Sequence, residues 1–287
     1  MDSDWPSTGS SFHSTPLLTG SHICTPDSGT HVSKRRHAFG SSIARLTSHV
    51  SPLMMNPRIA PFEQHSERYA AWFAHHKAAY QAELDAVREL WPLEADGIEI
   101  GVGAAHFAAP LEIKRGVEPA EAMRRRASAR GVDAINGVAE CLPFPDECCD
   151  AALMVTTICF VDDPARSMLE MFRILRPGGC VVVGFIDRES SLGQEYLRKQ
   201  GENVFYASAR FFSVAEVADL LTDAGLAQLQ YRQTLFSHPD DMQSPDPVRS
   251  GYGAGAFVVV RGVKPHHALD ASLADRHAAE TERAGGR

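Results

Sequence analysis

The spacing of apolar positions changes once along this chain. From 63 to 90, Tyr69, Trp72, Phe73, Tyr80, Leu84, Val87 and Leu90 recur every three or four residues, which predicts one amphipathic helix. Pro92 stops it, because proline lacks a donor and crowds the preceding turn. Beyond it, short β-type runs at 97–101, 115–118, 132–136, 150–156 and 180–186 alternate with helical stretches at about 104–111, 119–130, 164–175, 191–200 and 214–224. Asp163-Pro164 reads as a helix N-cap followed by proline at the first helical position. Ser213 with Glu216 reads as a capping box. Arg176-Pro177-Gly178-Gly179 is a tight turn into the fifth strand. Two late β-type runs, 226–236 and 256–261, have no helix between them and suit an antiparallel hairpin at a sheet edge. Alternation with short loops predicts an α/β fold: a mostly parallel, doubly wound sheet covered on both faces.

The ends differ from this pattern. Residues 1–53 are rich in Ser, Thr, Pro, Gly and His and show no sustained apolar period, so they cannot bury enough surface to offset ordering entropy. They read as a disordered extension or as leader ahead of a true start at Met54 or Met55; a basic, acid-poor stretch from Ser33 to Arg58 is transit-peptide-like. The Ala-rich, charged tail at 265–287 is expected to be frayed. One domain at 54–264 remains.

A formal charge of −8 disfavours nucleic acid and anionic membranes as partners, since neither is attracted to an acidic surface. Arg124, Arg125 and Arg126 then read as a solvated helix face. No apolar run approaches bilayer length. The six cysteines form no Cys-x-x-Cys pair and no His cluster completes a zinc pattern, so reduced thiols in a cytoplasm and no metal are expected.

Candidate chemistry centres on Gly97-Ile98-Glu99-Ile100-Gly101-Val102-Gly103-Ala104-Ala105. A strand runs into closely spaced glycines, and glycine lets a ligand touch backbone. A following helix would turn N–H groups toward that ligand. A second strand ends in Glu118-Pro119, and an acid at such a strand tip can accept both hydrogen bonds of a ribose diol.

Four segments together resemble the class I S-adenosylmethionine-dependent methyltransferases, in particular the small single-domain, type-11 branch of the ubiquinone/menaquinone-biosynthesis kind. They are Glu99 to Ala105; Val117-Glu118-Pro119 followed by Met123; Gly137 to Asp146 with Asp150 opening the next strand; and Arg173 to Gly179. The likeness spans roughly residues 60–262 and implies a Rossmann-like, seven-stranded sheet with an N-terminal lid helix. It implies S-adenosylmethionine as cofactor, with Glu99 as the acid of the glycine loop and Gly101 and Gly103 against the methionine and ribose portions. It further implies Glu118 and Pro119 at the ribose, and Met123, Leu142 and the backbone of Ala139 and Glu140 around the adenine. Thr156 and Thr157 end the fourth strand, at the ligand-binding edge of such sheets.

Two departures stand out. Ala105 replaces a third glycine, which is tolerable where φ is negative. Val138 occupies a position where an Asp would receive the adenine amino group, so Glu140 becomes the substitute candidate. In the lid helix, Tyr69, Trp72 and Phe73 either cover the sulfonium by cation–π contact or pack as ordinary core. Asp187 and Arg188 are expected to lend the acceptor pocket polarity, with Asp187 and His106 as candidate bases. Phe205, Tyr206, Phe211 and Phe212 are expected to wall it.

The resulting expectation is a cytoplasmic, monomeric or homodimeric methyltransferase of a small-molecule acceptor. The alternatives are a nicotinamide-dependent oxidoreductase, disfavoured because position 106 is His and not the third glycine of that fingerprint, and a non-catalytic S-adenosylmethionine-binding protein.

Overall fold

The computed structural model describes residues 58–266. The expectations for 1–53 and for almost all of 265–287 lie outside that range.

Among the described residues, eight strands form one sheet: β1 Gly97–Ile100, β2 Arg115–Val117, β3 Asp133–Ile135, β4 Cys149–Val155, β5 Leu175–Ile186, β6 Ala227–Thr234, β7 Arg249–Ser250 and β8 Phe257–Val263. Their order is β3-β2-β1-β4-β5-β8-β6-β7. β1 through β5 are parallel, and β8 runs antiparallel to both β5 and β6. The two late runs do pair antiparallel, but β8 wedges between β5 and β6, and the edge is the two-residue β7 that sequence analysis omits. The sheet therefore has eight strands and not seven.

Side-chain alternation explains the layers. Leu153, Val155, Val182 and Val259 face one way and pack with Leu84, Val87 and Leu90 of α3 (Lys77–Leu90). Ala152, Met154, Val181, Val183 and Val258 face the other way. They meet Met168, Met171 and Ile174 of α5 (Pro164–Ile174) and Val217 and Leu221 of α7 (Val214–Asp223). The remaining helices are α1 Ala60–Gln64, α2 Ser66–His75, α4 Glu121–Ala129 and α6 Ser191–Arg198. Both predicted caps form: the Asp163 side chain accepts from the Arg166 N–H, and Ser213 and Glu216 make a reciprocal capping box. The turn at Arg176–Gly179 is absorbed into β5 as a bulge, where the register against β4 jumps from Leu175 to Cys180.

Two helix expectations fail. The stretch 63–90 is not one helix but the end of α1, then α2 and α3, broken at His65 and His76. His76 leaves helical geometry, and its ring stacks on Trp72 at 4.8 Å and bonds Asp240 at 2.8 Å. That side-chain tether outweighs a periodicity that runs straight through. The stretch 104–111 holds only a 3₁₀ turn at Ala109–Leu111. Gly101, Gly103 and Ala105 all take left-handed φ (70°, 53° and 58°), which no α-helix start accommodates. Ala105 therefore does not sit at a negative φ, as expected of an alanine there, but at a positive one; the buried residue is fixed by its N–H bond to the Val102 carbonyl at 2.8 Å.

Candidate active site

The chain passes outward from β1 to β3 and returns on the other side of β1 as β4. The carboxyl ends of β1 and β4 thus flank a switch point, where open α/β sheets bind ligands. A cavity opens there. Its walls include Gly101 and Gly103 from the loop after β1, Glu118 and Pro119 after β2, and Val138 to Glu140. Thr156 and Thr157 after β4 complete that end. Its empty volume, mouth included, is about 1540 Å³.

Glu118 ties the site together. Its Oε2 accepts the Gly103 N–H at 3.0 Å and its Oε1 accepts the Ala120 N–H at 2.8 Å. Each oxygen keeps a further lone pair. Burial pushes its carboxyl up to about 7, against the lowering effect of those two N–H bonds and of Arg124. The Thr157 hydroxyl lies beneath the loop, within donor distance of both the Gly101 and Val155 carbonyls at 3.2 and 3.0 Å. A Cβ at Gly101 would collide with that Thr157 side chain. A Cβ at Gly103 would meet nothing nearer than the Tyr69 ring at 3.9 Å, so it would stand in the cavity itself. Glycine is used once for packing and once to leave a cradle open.

Gly103→Ala is accordingly expected to cost about 1–2 kcal/mol for its left-handed backbone. It should also weaken S-adenosylhomocysteine roughly tenfold, because its methyl occupies ligand space. Chemical denaturation and calorimetry on one preparation check both; unchanged affinity would show that the cradle is not used.

Other expected site residues divide clearly. Tyr69, Trp72 and Phe73 line the cavity, as do Phe205, Tyr206, Phe211 and Phe212. Glu99 does not: it lies buried behind the loop, with Oε2 lacking a hydrogen-bond partner and its pKa raised well above normal by burial. Met123 also misses the cavity, fully buried with Ala104 and Ala120, and Leu142 is likewise absent from the wall. Glu140 reaches the wall, but its Oε1 accepts the N–H groups of Asp162 and Asp163 at 2.7 and 3.1 Å. It caps that loop and is a poor substitute for the absent Asp at 138.

Asp187 and Arg188 do not supply the pocket's polarity. Asp187 accepts the Glu189 N–H, and Arg188 pairs with Glu216 at 2.8 Å, both away from the cavity wall. His106 is not on the wall either. It stacks flat on Phe73 at 3.7 Å, and burial, with Arg130 and Arg126, presses its pKa down to about 3. It packs as a neutral ring.

The polar group that sequence analysis misses is Glu83 of α3. It is 5% exposed and faces the cavity, and burial alone pushes its carboxyl up to about 8. Its signal was present: an acid one residue before Leu84 and four before Val87, on the apolar side of an amphipathic helix. Tyr196 of α6, stacked on Tyr206 at 4.8 Å, and the charged Arg58 also stand on the wall without having been expected there.

Known proteins decide the family. A methyltransferase-domain profile matches residues 98–183. An uncharacterized protein of Methanocaldococcus jannaschii is 36% identical over 203 residues, 71% of this chain and 98% of its own length. A solved Thermotoga maritima protein, described as an S-adenosylmethionine-dependent methyltransferase and possible histamine N-methyltransferase, is 52% identical. It covers 72% of this chain and 99% of its own, with a TM-score of 0.71. The chain belongs to the class I S-adenosylmethionine-dependent methyltransferases. A ubiquinone/menaquinone-biosynthesis C-methyltransferase of Pasteurella multocida, 28% identical over 130 residues, lies further off. S-adenosylmethionine is the cofactor of this fold family, and the open cradle at Gly103 with the spare lone pairs of Glu118 fits it.

Proposed function

We propose that this methyltransferase transfers methyl groups to a small-molecule acceptor held in the same chamber as the cofactor. The observation that carries the reading is continuity: one cavity runs from Gly101, Gly103 and Glu118 to the aromatic wall of Tyr69, Phe205, Tyr206 and Phe211. The Thermotoga relative's description, a possible histamine N-methyltransferase, supports an acceptor of that size.

S-adenosylmethionine supplies an electrophilic methyl on a positive sulfonium. The chain's own residues have a positional task. Gly101 and Gly103 would let the backbone lie against the ligand, and Glu118 would accept the two ribose hydroxyls. Val138 and Ala139 would pack against the base, with Val138 giving shape and not a hydrogen bond. The rings of α2 and of 205–212 would exclude water and hold the reactants close, which can supply much of the rate in a displacement that needs no protein nucleophile.

Among the described residues no helix is long and apolar enough to cross a membrane, and the described cysteines are free thiols. Both support a cytoplasmic setting for the same reading. The overall charge of −8 supports small molecules over nucleic acid as acceptors, with a monomer or homodimer sufficient for the chemistry.

The test is label transfer. The full chain with methyl-labelled S-adenosylmethionine and a fractionated small-molecule extract is expected to label a low-mass product. Label found only in protein or nucleic acid would reject the small-molecule acceptor.

A further inference from the structure

Glu83 is a buried carboxylate without a partner. Among the described residues no hydrogen bond or ion pair is made to it, and burial is the sole influence on its titration. Buried acids are ordinarily paired or bonded, so an empty one facing a cavity needs something from outside the chain. Four tyrosines feel its field: Tyr69 of α2, Tyr80 of α3, Tyr196 of α6 and Tyr206. Three of them, with Trp72 and Phe73, line the same cavity. Arg58 also lines it, but its charge acts on Cys159 and not on Glu83.

A lone carboxylate in a cavity lined by electron-rich rings is complementary to a compact organic cation. The carboxylate gives a charge-assisted hydrogen bond, and the rings give cation–π attraction that strengthens where water is excluded. Tyr69 joins this end to the cofactor end, since its ring is also the nearest neighbour of the Gly103 cradle.

Resting on the methyltransferase reading above, we propose that Glu83 anchors the acceptor, that the acceptor is a small protonated amine, and that Glu83 takes its proton. An arriving ammonium draws Glu83 into its ionised form. One ammonium proton then passes to the carboxylate, freeing the nitrogen lone pair. The N–C bond forms as the methyl–sulfur bond breaks, and the sulfur keeps that electron pair. The product is a methylated ammonium with S-adenosylhomocysteine, and the proton on Glu83 leaves to solvent. No further reagent is needed.

The experiment uses the full chain saturated with S-adenosylhomocysteine, titrated by calorimetry with phenethylamine and with its neutral counterpart 2-phenylethanol. The amine is expected to bind at least roughly tenfold more tightly, the scale of one charge-assisted bond. Glu83→Gln is expected to keep its affinity for S-adenosylhomocysteine while losing that preference, and to lower kcat/KM for amine methylation about 100-fold. Equal binding of amine and alcohol, or a variant that keeps the preference, would overturn the proposal. Loss of S-adenosylhomocysteine binding in the variant alone would overturn it too, by making Glu83 a support of the cofactor. Failure of the unaltered chain to bind S-adenosylhomocysteine would strike the methyltransferase reading instead.

Discussion

Glu118→Ala is expected to weaken S-adenosylhomocysteine binding by roughly 30- to 1,000-fold, the equivalent of about 2–4 kcal/mol. Two effects add. The ribose diol would lose its charged acceptor. The Gly103 and Ala120 N–H groups, bonded at 3.0 and 2.8 Å, would lose theirs, and the glycine loop its tie to the second strand. Glu118→Gln separates the two, because the amide keeps shape and one acceptor oxygen; it is expected to fall between alanine and the unaltered chain. The binding has a pH signature. Burial holds the empty carboxyl near about 7, and hydroxyl donors favour its ionised form. Affinity for S-adenosylhomocysteine is therefore expected to fall as pH drops through about 7, and to lose that dependence in Glu118→Ala. An alanine variant that binds as well as the unaltered chain would remove Glu118 from the site.

The second large effect is on stability. Glu83 titrates at about 8 in the folded chain against an ordinary value of 4.5. Between those values the folded state keeps a proton that the unfolded state has released. Stability of the ligand-free protein therefore falls as pH rises through that window. The contribution is of order 3 kcal/mol, with about 5 as an upper bound. Glu83→Gln has no such group to ionise. Urea denaturation at about pH 5 and about pH 8.5 should find the variant clearly the more stable of the two only at the higher pH. Parallel pH curves for the two proteins would contradict the burial of an unpaired carboxylate. A side chain that lowers stability at working pH and remains in the cavity is what a binding site, and not a core, would keep.

Much of the fold could be read from the sequence because its signals are local. The alternation of β-type runs with capped helices gives the parallel half of the sheet, and Asp163 and Ser213 mark helix starts by their own side-chain chemistry. The glycine loop and Glu118 were legible for the same reason: spacing and residue type carry the information. What was hidden depends on contacts distant in sequence. The break at His76 is made by Asp240, 164 residues away, and periodicity cannot register it. The left-handed Ala105 follows from a loop closing on itself, so the helix expected there does not start. Asp187 and Arg188 looked suited to a pocket because they end a strand, yet Glu216 and a local turn claim them. Glu83 carried a signal, an acid on an apolar helix face, but a stripe of aromatics around it reads first as core.

The glycine loop and Glu118 are proposed to hold S-adenosylmethionine, with the aromatic end of the same cavity left for an acceptor. Calorimetric titration of the full chain with S-adenosylhomocysteine, with NADH as comparator, tests it most directly. One site per chain at micromolar affinity or tighter is expected for S-adenosylhomocysteine, and no heat from NADH. No S-adenosylhomocysteine binding, or NADH binding in its place, would contradict it.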